Sequence, residues 1–425
     1  MNKTILAAAT AALFALPLAA RADDAALAAR IEQLAAELEK LKAELKATKA
    51  AQAAAPTPAA APVAAAPVPA AEPQQPATVL TGYGEINYNR PLHNSAAAQT
   101  DARRVVLGFE HRFDPKTKVV AELEWEHAVT SADDAGEAAV EQAYVEREFG
   151  HGLRAKAGLF LIPAGLLNTS HEPTAYYGVE RNFVETAIIP TTWREAGVGL
   201  TGETEYGLTW DAGITTGFDL SKWDATSEEG RESPLGAIHQ EGQLAKSRDL
   251  SVHGALNWRG VPGLLVGGSV FTGKAAHGTD NFPAQDARVT LWDVHARWTP
   301  GPWDLAALYA RGNIGGIGAL NLTLAGNPAP VPSAFYGWYV QGAYNLPKSG
   351  DYALTPFVRY ERFNTASRYS AFPAGLEPQA GVLQNVSTVG ANLRIGEGVV
   401  LKADYQKFGQ DKNLDRLNLG AGFAF

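Results

Sequence analysis

Polar and apolar residues alternate with a period of two along most of the chain from residue 79 to residue 425. In the stretch 117–128, the odd positions from Val119 to Trp125 are apolar, and the even positions are charged apart from Val120. Such alternation predicts β-strands with one apolar and one polar face. Sixteen stretches of about ten residues follow the pattern: 79–90, 102–113, 117–128, 138–149, 152–162, 194–203, 206–217, 248–259, 262–273, 288–299, 302–313, 335–346, 352–363, 386–396, 399–409 and 414–425.

The connections between these stretches alternate in length. Even-numbered stretches are followed by tight turns such as 114–116 or 397–398, and odd-numbered ones by mostly long polar segments, with 410–413 as the exception. An even strand number with tight turns at one end and long loops at the other is typical of bacterial outer-membrane barrels. Sixteen strands enclose an aqueous channel rather than a filled core. We therefore predict an all-β fold, a 16-stranded antiparallel transmembrane β-barrel over residues 79–425.

A soluble β-sandwich is the alternative to this barrel. In a sandwich the apolar faces would form the core, and large aromatic residues would gather in the middle of the strands. Here the large aromatic residues lie near strand ends, as in the aromatic girdles of a membrane barrel. They are Trp125, Trp258, Trp298, Trp303, Tyr352, Phe408 and Phe425. The pattern favours the barrel.

The segment 163–193 is the second-longest interruption of the strand pattern. A loop of this length inside a compact domain is usually functional or disordered. Its apolar and aromatic residues, among them Leu166, Phe183 and Ile188, argue against disorder. We predict that this segment folds inside the barrel as its third loop and narrows it.

Residues 1–22 have the pattern of a secretory signal peptide. Lys3 precedes an apolar core at 5–19, and Ala20 and Ala22 provide a cleavage site. An amphipathic helix of the mature protein is the alternative, but the apolar core has no polar face. The pattern predicts export.

Residues 23–50 predict a short α-helical coiled coil, because apolar residues recur at spacings of four and three. These residues are Leu27, Ile31, Leu34, Leu38, Leu41 and Leu45. A single amphipathic helix packed on the barrel is the alternative; a coiled coil would favour an oligomer. Residues 51–78 consist mostly of Ala and Pro and predict a semi-rigid linker.

The composition narrows the chemistry. The chain has no cysteine, which excludes disulfides, thiolate metal sites and a cysteine nucleophile. The nine histidines show no zinc-ligand spacing. The acidic stretch 219–232 lacks a calcium-loop pattern, and we predict that it is a solvated outer loop. We therefore expect no metal or other cofactor. After residue 20 no apolar run reaches the length of about 18 residues that a transmembrane helix needs. The net charge of −9 argues against nucleic-acid binding.

Four segments carry a resemblance to a known family: TGYGEINY at 81–88, GLFLIPAGLLN at 158–168, HEPTAYYGVERNFVETAIIPTTWREAGVGL at 171–200, and the terminal GAGFAF. With these segments the chain resembles trimeric Gram-negative porins, and more narrowly the phosphate-selective porin O and P family. The resemblance implies a homotrimer in the outer membrane of a Gram-negative bacterium. It also implies that the third long loop, between strands five and six, folds inward and forms the constriction. The segment 163–193 lies at that place.

Selectivity in such a pore depends on charges that face the lumen. Phosphate selectivity in the family rests on a ladder of arginines and a cluster of lysines, and no dense basic run matches those positions here. Residues 1–78 hold seven residues of each sign, which leaves 29 basic and 38 acidic residues for the barrel. Both an anion pore and a cation preference therefore stay open.

Alternation and loop position indicate the candidate pore residues. In the constriction loop they are His171, Glu172, Tyr176, Tyr177, Glu180, Arg181 and Arg194, of which Arg181 and Arg194 are the best candidates for solute contact because guanidinium binds carboxylate or phosphate through two hydrogen bonds. On the wall they are Arg104, Arg112, Glu122, Glu124, Glu126, Arg154, Lys156, Arg359, Arg394, Lys402 and Arg416. These charges would form a transverse field; alternatively they pair with each other across a wet wall and contribute little. Some loop residues would fix the loop to the wall, and the tyrosines would be packing anchors.

The leading hypothesis is a passive channel for small hydrophilic or charged solutes, not an enzyme, with the lipid bilayer and two further copies of the chain as partners. An outer-membrane barrel enzyme is one alternative, since a serine near His111, His127 or His253 would suffice for nucleophilic chemistry. A structural tether is another, in which the N-terminal coiled coil and linker reach the cell wall.

Overall fold

The computed structural model describes residues 77–425 except 132, 133, 371, 373, 374 and 377, together with six residues between positions 36 and 46. The predicted signal peptide at 1–22 lies outside the described residues, as do the coiled coil at 23–50 and the linker at 51–78 apart from those six positions and 77–78. The six are helical: Ala36, Glu39, Lys40, Lys42, Ala43 and Lys46. The coiled coil and the linker stay predictions.

Sixteen strands form one closed antiparallel sheet, in which each strand pairs with its neighbours in sequence and the last strand pairs with the first. The strands are β1 Thr78–Pro91, β2 Gln99–Asp114, β3 Thr117–Glu126, β4 Ala138–Gly150, β5 Leu153–Leu161, β6 Arg194–Glu203, β7 Leu208–Thr215, β8 Ser251–Trp258, β9 Leu264–Lys274, β10 Arg288–Trp298, β11 Trp303–Gly315, β12 Ala334–Tyr344, β13 Tyr352–Arg368, β14 Gln384–Ile395, β15 Val399–Phe408 and β16 Arg416–Ala424. The predicted 16-stranded antiparallel barrel is confirmed. The predicted bounds agree within a few residues except at β13, which continues past 363 to Arg368 because its pairing with β12 resumes after an irregularity.

Tight turns join each even-numbered strand to the next one, and longer connections follow the odd-numbered strands. The longest connections are 162–193 and 216–250. Short helical segments lie in the connections: Ser95–Ala97, Val184–Ile188, Leu220–Lys222, Glu229–Glu232, Gly236–Ile238, Gly318–Thr323 and Lys412–Leu414. Among the described residues, no helix has the length and apolar character needed to cross a membrane.

The strands present different residues on the two faces of the closed sheet. On β2 the Leu107 side chain is 51% exposed on the outer face, whereas Val106 beside it is 1% exposed on the inner face. The outer face carries aliphatic residues along the strands, such as Val198, Leu256 and Val358, all more than half exposed. A lipid environment requires both features. The apolar outer band contacts the hydrocarbon, and closure of the sheet pairs the backbone groups of every strand.

The long connections pack against each other. The Trp193 ring stacks on Phe218 with centroids 5.2 Å apart, and its edge meets Phe271 at 4.6 Å. Leu220 and Leu235 from the connection 216–250 are fully buried in the same cluster. Part of the acidic stretch that the sequence predicts as a solvated loop is thus buried, since its apolar side chains cover the apolar segment beneath it.

The sheet closes where the last strand meets the first. The Gly82 N–H donates to the Phe425 carbonyl over 3.1 Å, and the Phe425 N–H donates back to the Gly82 carbonyl over 2.9 Å. A Cβ atom on Gly82 would lie 2.8 Å from the Phe425 ring, and one on Gly84 would lie 2.7 Å from the Phe423 ring. The Phe425 and Phe423 rings therefore pack closely against glycines of β1.

Candidate pore constriction

The connection between β5 and β6 is rich in turns and contains one helical turn, Val184–Ile188. Val184 and Ile188 are fully buried, and their helical turn packs against β12. A Cβ atom at Gly337 on β12 would lie 3.1 Å from both side chains and 2.9 Å from Phe363 Cβ. Glycine at this position therefore lets the helical turn approach the wall.

Glu185 holds the two halves of this connection together. Its Oε1 accepts the N–H groups of Leu166 and Leu167 over 2.5 and 2.7 Å, and its Oε2 accepts Asn182 Nδ2 at 2.8 Å and the Tyr339 hydroxyl at 2.9 Å. Removal of the carboxyl group from water raises the pKa of Glu185 above its ordinary value. The four hydrogen bonds satisfy the buried carboxylate.

Residues 174–183 form hydrogen bonds with strands that are remote from β5 and β6 around the sheet. The Tyr177 hydroxyl donates to Asp304 on β11 at 2.9 Å, and the Val179 N–H donates to Asp404 on β15 at 2.6 Å. Side chains of the wall also bind the backbone of the connection: two arginines donate to its carbonyls, and one glutamate accepts from one of its N–H groups. These contacts are Arg359 Nη1 to the Tyr177 carbonyl at 3.0 Å, Arg394 Nη2 to the Thr174 carbonyl at 2.7 Å, and the Phe183 N–H to Glu361 at 2.6 Å.

A buried network joins the same connection to β1 and β4. His171 Nε2 lies 2.5 Å from Glu141, and His171 Nδ1 lies 2.9 Å from the Asn168 carbonyl. Tyr83 donates its hydroxyl to the other Glu141 oxygen at 3.0 Å. His171 Nε2 also lies 2.9 Å from the Tyr83 hydroxyl, so His171, Tyr83 and Glu141 contact one another.

Charged wall residues on β1, β2 and β3 form a second network. Arg104 lies 3.2 Å from Glu85, 3.0 Å from Glu124 and 3.1 Å from Glu126. The Tyr176 hydroxyl donates to the second Glu85 oxygen at 2.7 Å. Burial raises the pKa of the Tyr176 hydroxyl well above its ordinary value. Arg104 is thus balanced by carboxylates rather than free.

The other predicted wall residues lie on the inner face of their strands, mostly with protein partners. Three of them form ion pairs: Arg112 with Glu110 at 2.6 Å, Lys156 with Asp211 at 2.9 Å, and Arg359 with Glu361 at 2.7 Å. Glu122 accepts a hydrogen bond from Gln142 at 2.5 Å, and Arg154 lies opposite Glu148 in the strand register. The Lys402 ammonium lies 3.5 Å from the centre of the Tyr176 ring. The structure therefore distributes these charges into local pairs and contacts with the β5–β6 connection.

The two arginines predicted as the best solute contacts are both buried. Arg181 is 7% exposed; its Nη2 donates to the His171 carbonyl over 3.0 Å, and its Nη1 donates to the Thr191 hydroxyl. Arg194 is 4% exposed and lies 3.2 Å from Glu241. Glu172 and Glu180 are partly exposed, and Glu180 accepts Asn89 Nδ2 at 2.9 Å.

An open cavity of about 550 Å³ lies between this connection and the wall formed by β1, β2 and β16. Its charged lining comes from both sides and has both signs: Glu85, Asp101, Arg103, Arg104, Glu180, Arg181, Glu232 and Arg416. Arg103 is absent from the sequence prediction, because strict alternation places it outside when Arg104 is inside. The pairing of β1 with β2 shifts between Glu85 and Asn87, so that both arginines reach the cavity. The high cost of arginine on a lipid-facing surface is the sequence signal that would have identified it.

The histidines offered for an enzyme have other partners in the described structure. His253 Nε2 binds Asp211 at 2.9 Å, His127 binds Asp101 at 2.8 Å, and His111 binds the exposed Thr78 hydroxyl at 2.7 Å. In the Asp293–His295 pair, the Ser269 hydroxyl donates to the aspartate and not to the imidazole. These arrangements differ from a serine nucleophile bound to its histidine base.

Comparison with known proteins gives one family match and several structural ones. Residues 81–407 match the family described as phosphate-selective porin O and P. An uncharacterized protein of Aquifex aeolicus is 30% identical over 334 residues, which cover 76% of this chain and 74% of that protein. Salmonella typhi OmpF, solved in complex with daunomycin, superposes with a TM-score of 0.57 at 13% identity and covers 82% of this chain and 97% of its own. The outer membrane channel DcaP of Acinetobacter baumannii gives a TM-score of 0.50 at 14% identity, with the same coverage.

Proposed function

The chain belongs to the phosphate-selective porin O and P family and is accordingly an outer-membrane channel for small solutes, and from this premise we propose that the loop 163–193 folds into the barrel and sets the width of its pore. The hydrogen bonds from Tyr177 to β11 and from Val179 to β15 carry the proposal. The loop begins at β5 and ends at β6, whereas β11 and β15 lie farther round the ring of strands, and these contacts support a path across the inside of the closed sheet. A channel, rather than an enzyme, is what the family and the fold imply.

We propose that solutes pass through the 550 Å³ cavity between this loop and the β1–β2–β16 wall. Arg103 and Arg416 line it from the wall, and Glu180 lines it from the loop. Within the described part of the chain Arg103 forms one ion pair, a long one of 3.6 Å to Asp101. Guanidinium groups with unused donors attract anionic solutes, and the facing carboxylate orients them. The family suggests phosphate as one such anion.

Single-channel recording tests the pore and the loop together. The natural chain has no cysteine, so a lone Thr186→Cys on the loop gives a defined site for a charged thiol reagent. Thr186 lines the cavity, and modification should lower the conductance or abolish it. Glu205→Cys, exposed in the tight turn after β6, is the matched control and should leave conductance unchanged. Conductance unchanged by modification at Thr186 would refute the loop placement, and absence of any conductance would refute the pore.

We propose in addition that the chain assembles as a homotrimer through its barrels and the N-terminal coiled coil, and that the coiled coil and linker tether the membrane to the cell wall. The heptad spacing of residues 27–45 and the Ala/Pro composition of 51–78 support this second role. Deletion of residues 24–73 would separate the functions. Conductance should persist, while envelope integrity should be lost if the segment is a tether; intact integrity would reject that role.

A further inference from the structure

A second open cavity, of about 790 Å³, adjoins the proposed pore. Phe183, Thr186 and Glu232 line both cavities, so the two lie side by side. The wall of the second cavity is rich in apolar and aromatic groups: Phe183, Phe363, Tyr369, Val382, Phe408 and Leu414. Leu414 is 48% exposed and Val382 is 62% exposed. We call this cavity the aromatic vestibule.

Three phenylalanine rings meet at the boundary between the vestibule and the pore. Phe183 stacks on Phe363 with centroids 5.3 Å apart and planes 12° from parallel. It meets Phe408 at 5.6 Å in an edge-to-face arrangement. Since Phe183 belongs to the constriction loop, this aromatic cluster brings an apolar surface to the point where a solute would enter the pore.

Arg416 lies beside this cluster. Its guanidinium carbon is 5.9 Å from the Phe183 ring centre and 5.8 Å from that of Phe408, and its Nε donates to Gln406 at 2.7 Å. Within the described part of the chain no carboxylate lies within ion-pair distance of this guanidinium, whereas Arg104, on the same side of the pore, has three. The Gln406 contact uses Nε, which leaves the two Nη groups to bind a carboxylate with two hydrogen bonds.

The opposite side of the vestibule carries the short helix Glu229–Glu232. Arg231 on this helix pairs with Glu228 at 3.2 Å and is about half exposed. Glu232 lines the cavity, forms no ion pair with another described residue, and would repel an anion that approached it. An anionic group is therefore directed away from Glu232 and toward Arg416.

We propose that the aromatic vestibule binds carboxylates attached to an aromatic ring, with the ring against Phe183 and Phe363 and the carboxylate on Arg416. The proposal rests on the proposed pore function and names a solute class for it. A cavity of this size accommodates such a ligand easily. The apolar wall contributes by burying the ring, and small inorganic anions lack a group that would use it.

The test compares benzoate, acetate and benzylammonium as blockers of potassium chloride current through the full-length channel in a planar bilayer. Benzoate should cause blocking events at concentrations at least tenfold lower than acetate, because only benzoate engages both the rings and Arg416. Benzylammonium should block no better than acetate. Equal blocking by benzoate and acetate, or by benzoate and benzylammonium, would overturn the proposal while leaving the pore intact.

Variants locate the site. Arg416→Gln and Phe183→Leu should each weaken benzoate block by about tenfold or more. Arg362→Gln is the matched control: it alters an exposed arginine beside Phe363, on the outer face of β13, and should leave benzoate block unchanged. If Arg416→Gln has no effect on the block, the assignment is wrong.

A binding measurement separates failure of the site from failure of the pore. Saturation-transfer NMR on the detergent-solubilised full chain should show benzoate bound to the natural protein and not to the Arg416→Gln variant. Binding without conductance would refute the proposed pore and keep the vestibule. Conductance without benzoate binding would refute the proposed vestibule site and keep the pore.

Discussion

The Tyr339 hydroxyl on β12 donates a hydrogen bond to Glu185 of the β5–β6 connection over 2.9 Å, across 154 positions of sequence. Both side chains are buried, at 3% exposure each. This bond links the connection to the wall at a point where four donors converge on one carboxylate. The four hydrogen bonds of Glu185 therefore help to fix the position of the connection.

Substitution of Glu185 should release the loop. Glu185→Ala leaves four buried donors without an acceptor, at a cost of roughly 1–3 kcal/mol for each group that water cannot reach. We expect larger and noisier single-channel currents, because the loop no longer stays in one position. Tyr339→Phe removes one donor and should cost about 1 kcal/mol. A double-mutant cycle on thermal unfolding should show coupling between the two residues; strictly additive effects would contradict the contact.

The buried Glu185 also predicts a pH dependence. Burial raises its pKa in the folded state above the ordinary value of about 4.5. The folded protein then binds this proton more tightly than the unfolded chain, so the free energy of unfolding falls as the pH rises from 4.5 through the raised pKa, and levels off above it. Other carboxylates titrate as well, and the Glu185→Gln variant isolates this one. The difference in unfolding temperature between variant and natural protein should change across that pH window; a constant difference from pH 4 to pH 8 would contradict the prediction.

Gly337 should tolerate no side chain. Gly337→Ala places a Cβ atom 2.9 Å from Phe363 Cβ and 3.1 Å from Val184 and Ile188, so neighbouring atoms must shift at a typical cost of about 1–3 kcal/mol. Gly254→Ala is the matched control, because a Cβ atom there would lie 3.9 Å from its nearest neighbour, the Asp211 carbonyl oxygen. Heat-induced loss of the folded form on gel electrophoresis compares the two variants. Equal stability of both would argue against close packing of the helical turn on β12.

Arg103 should influence selectivity. Arg103→Glu reverses one charge on the cavity wall and should shift the reversal potential in a salt gradient toward the cation value. Arg90→Glu makes the same change on the outer face of β1, where the side chain is exposed beside the pore-lining Asn89, and should leave the reversal potential unchanged. Equal shifts in the two variants would indicate a general surface-charge effect rather than a contact with permeating ions.

The strand pattern was predictable because a closed sheet between lipid and water imposes the same alternation on every strand. Leu107 and Val358, for example, must face outward for the same physical reason, and each strand repeats that information. The number of strands and their antiparallel order follow from this repetition and from the alternating connection lengths.

Irregular positions were not predictable in the same way. The shift in pairing that brings Arg103 inward, and the irregularity near Glu122 that places Glu141 beside His171, break the two-residue period at single sites. Likewise, sequence identifies Arg181 as a plausible anion ligand, but its contacts with the His171 carbonyl and Thr191 depend on how the connection folds. Charge type is readable from sequence, whereas the partner of each charge depends on tertiary structure.

The reciprocal hydrogen bonds between Gly82 and Phe425 have a consequence for biosynthesis. The last strand, β16, completes the ring by pairing with β1, so a chain that lacks β16 cannot close the sheet. Such a chain retains two open sheet edges, which expose unpaired backbone groups to other chains and to proteases. Synthesis of β16 must therefore precede closure of the barrel, and pairing of β1 with β16 marks a chain in which all sixteen strands are present.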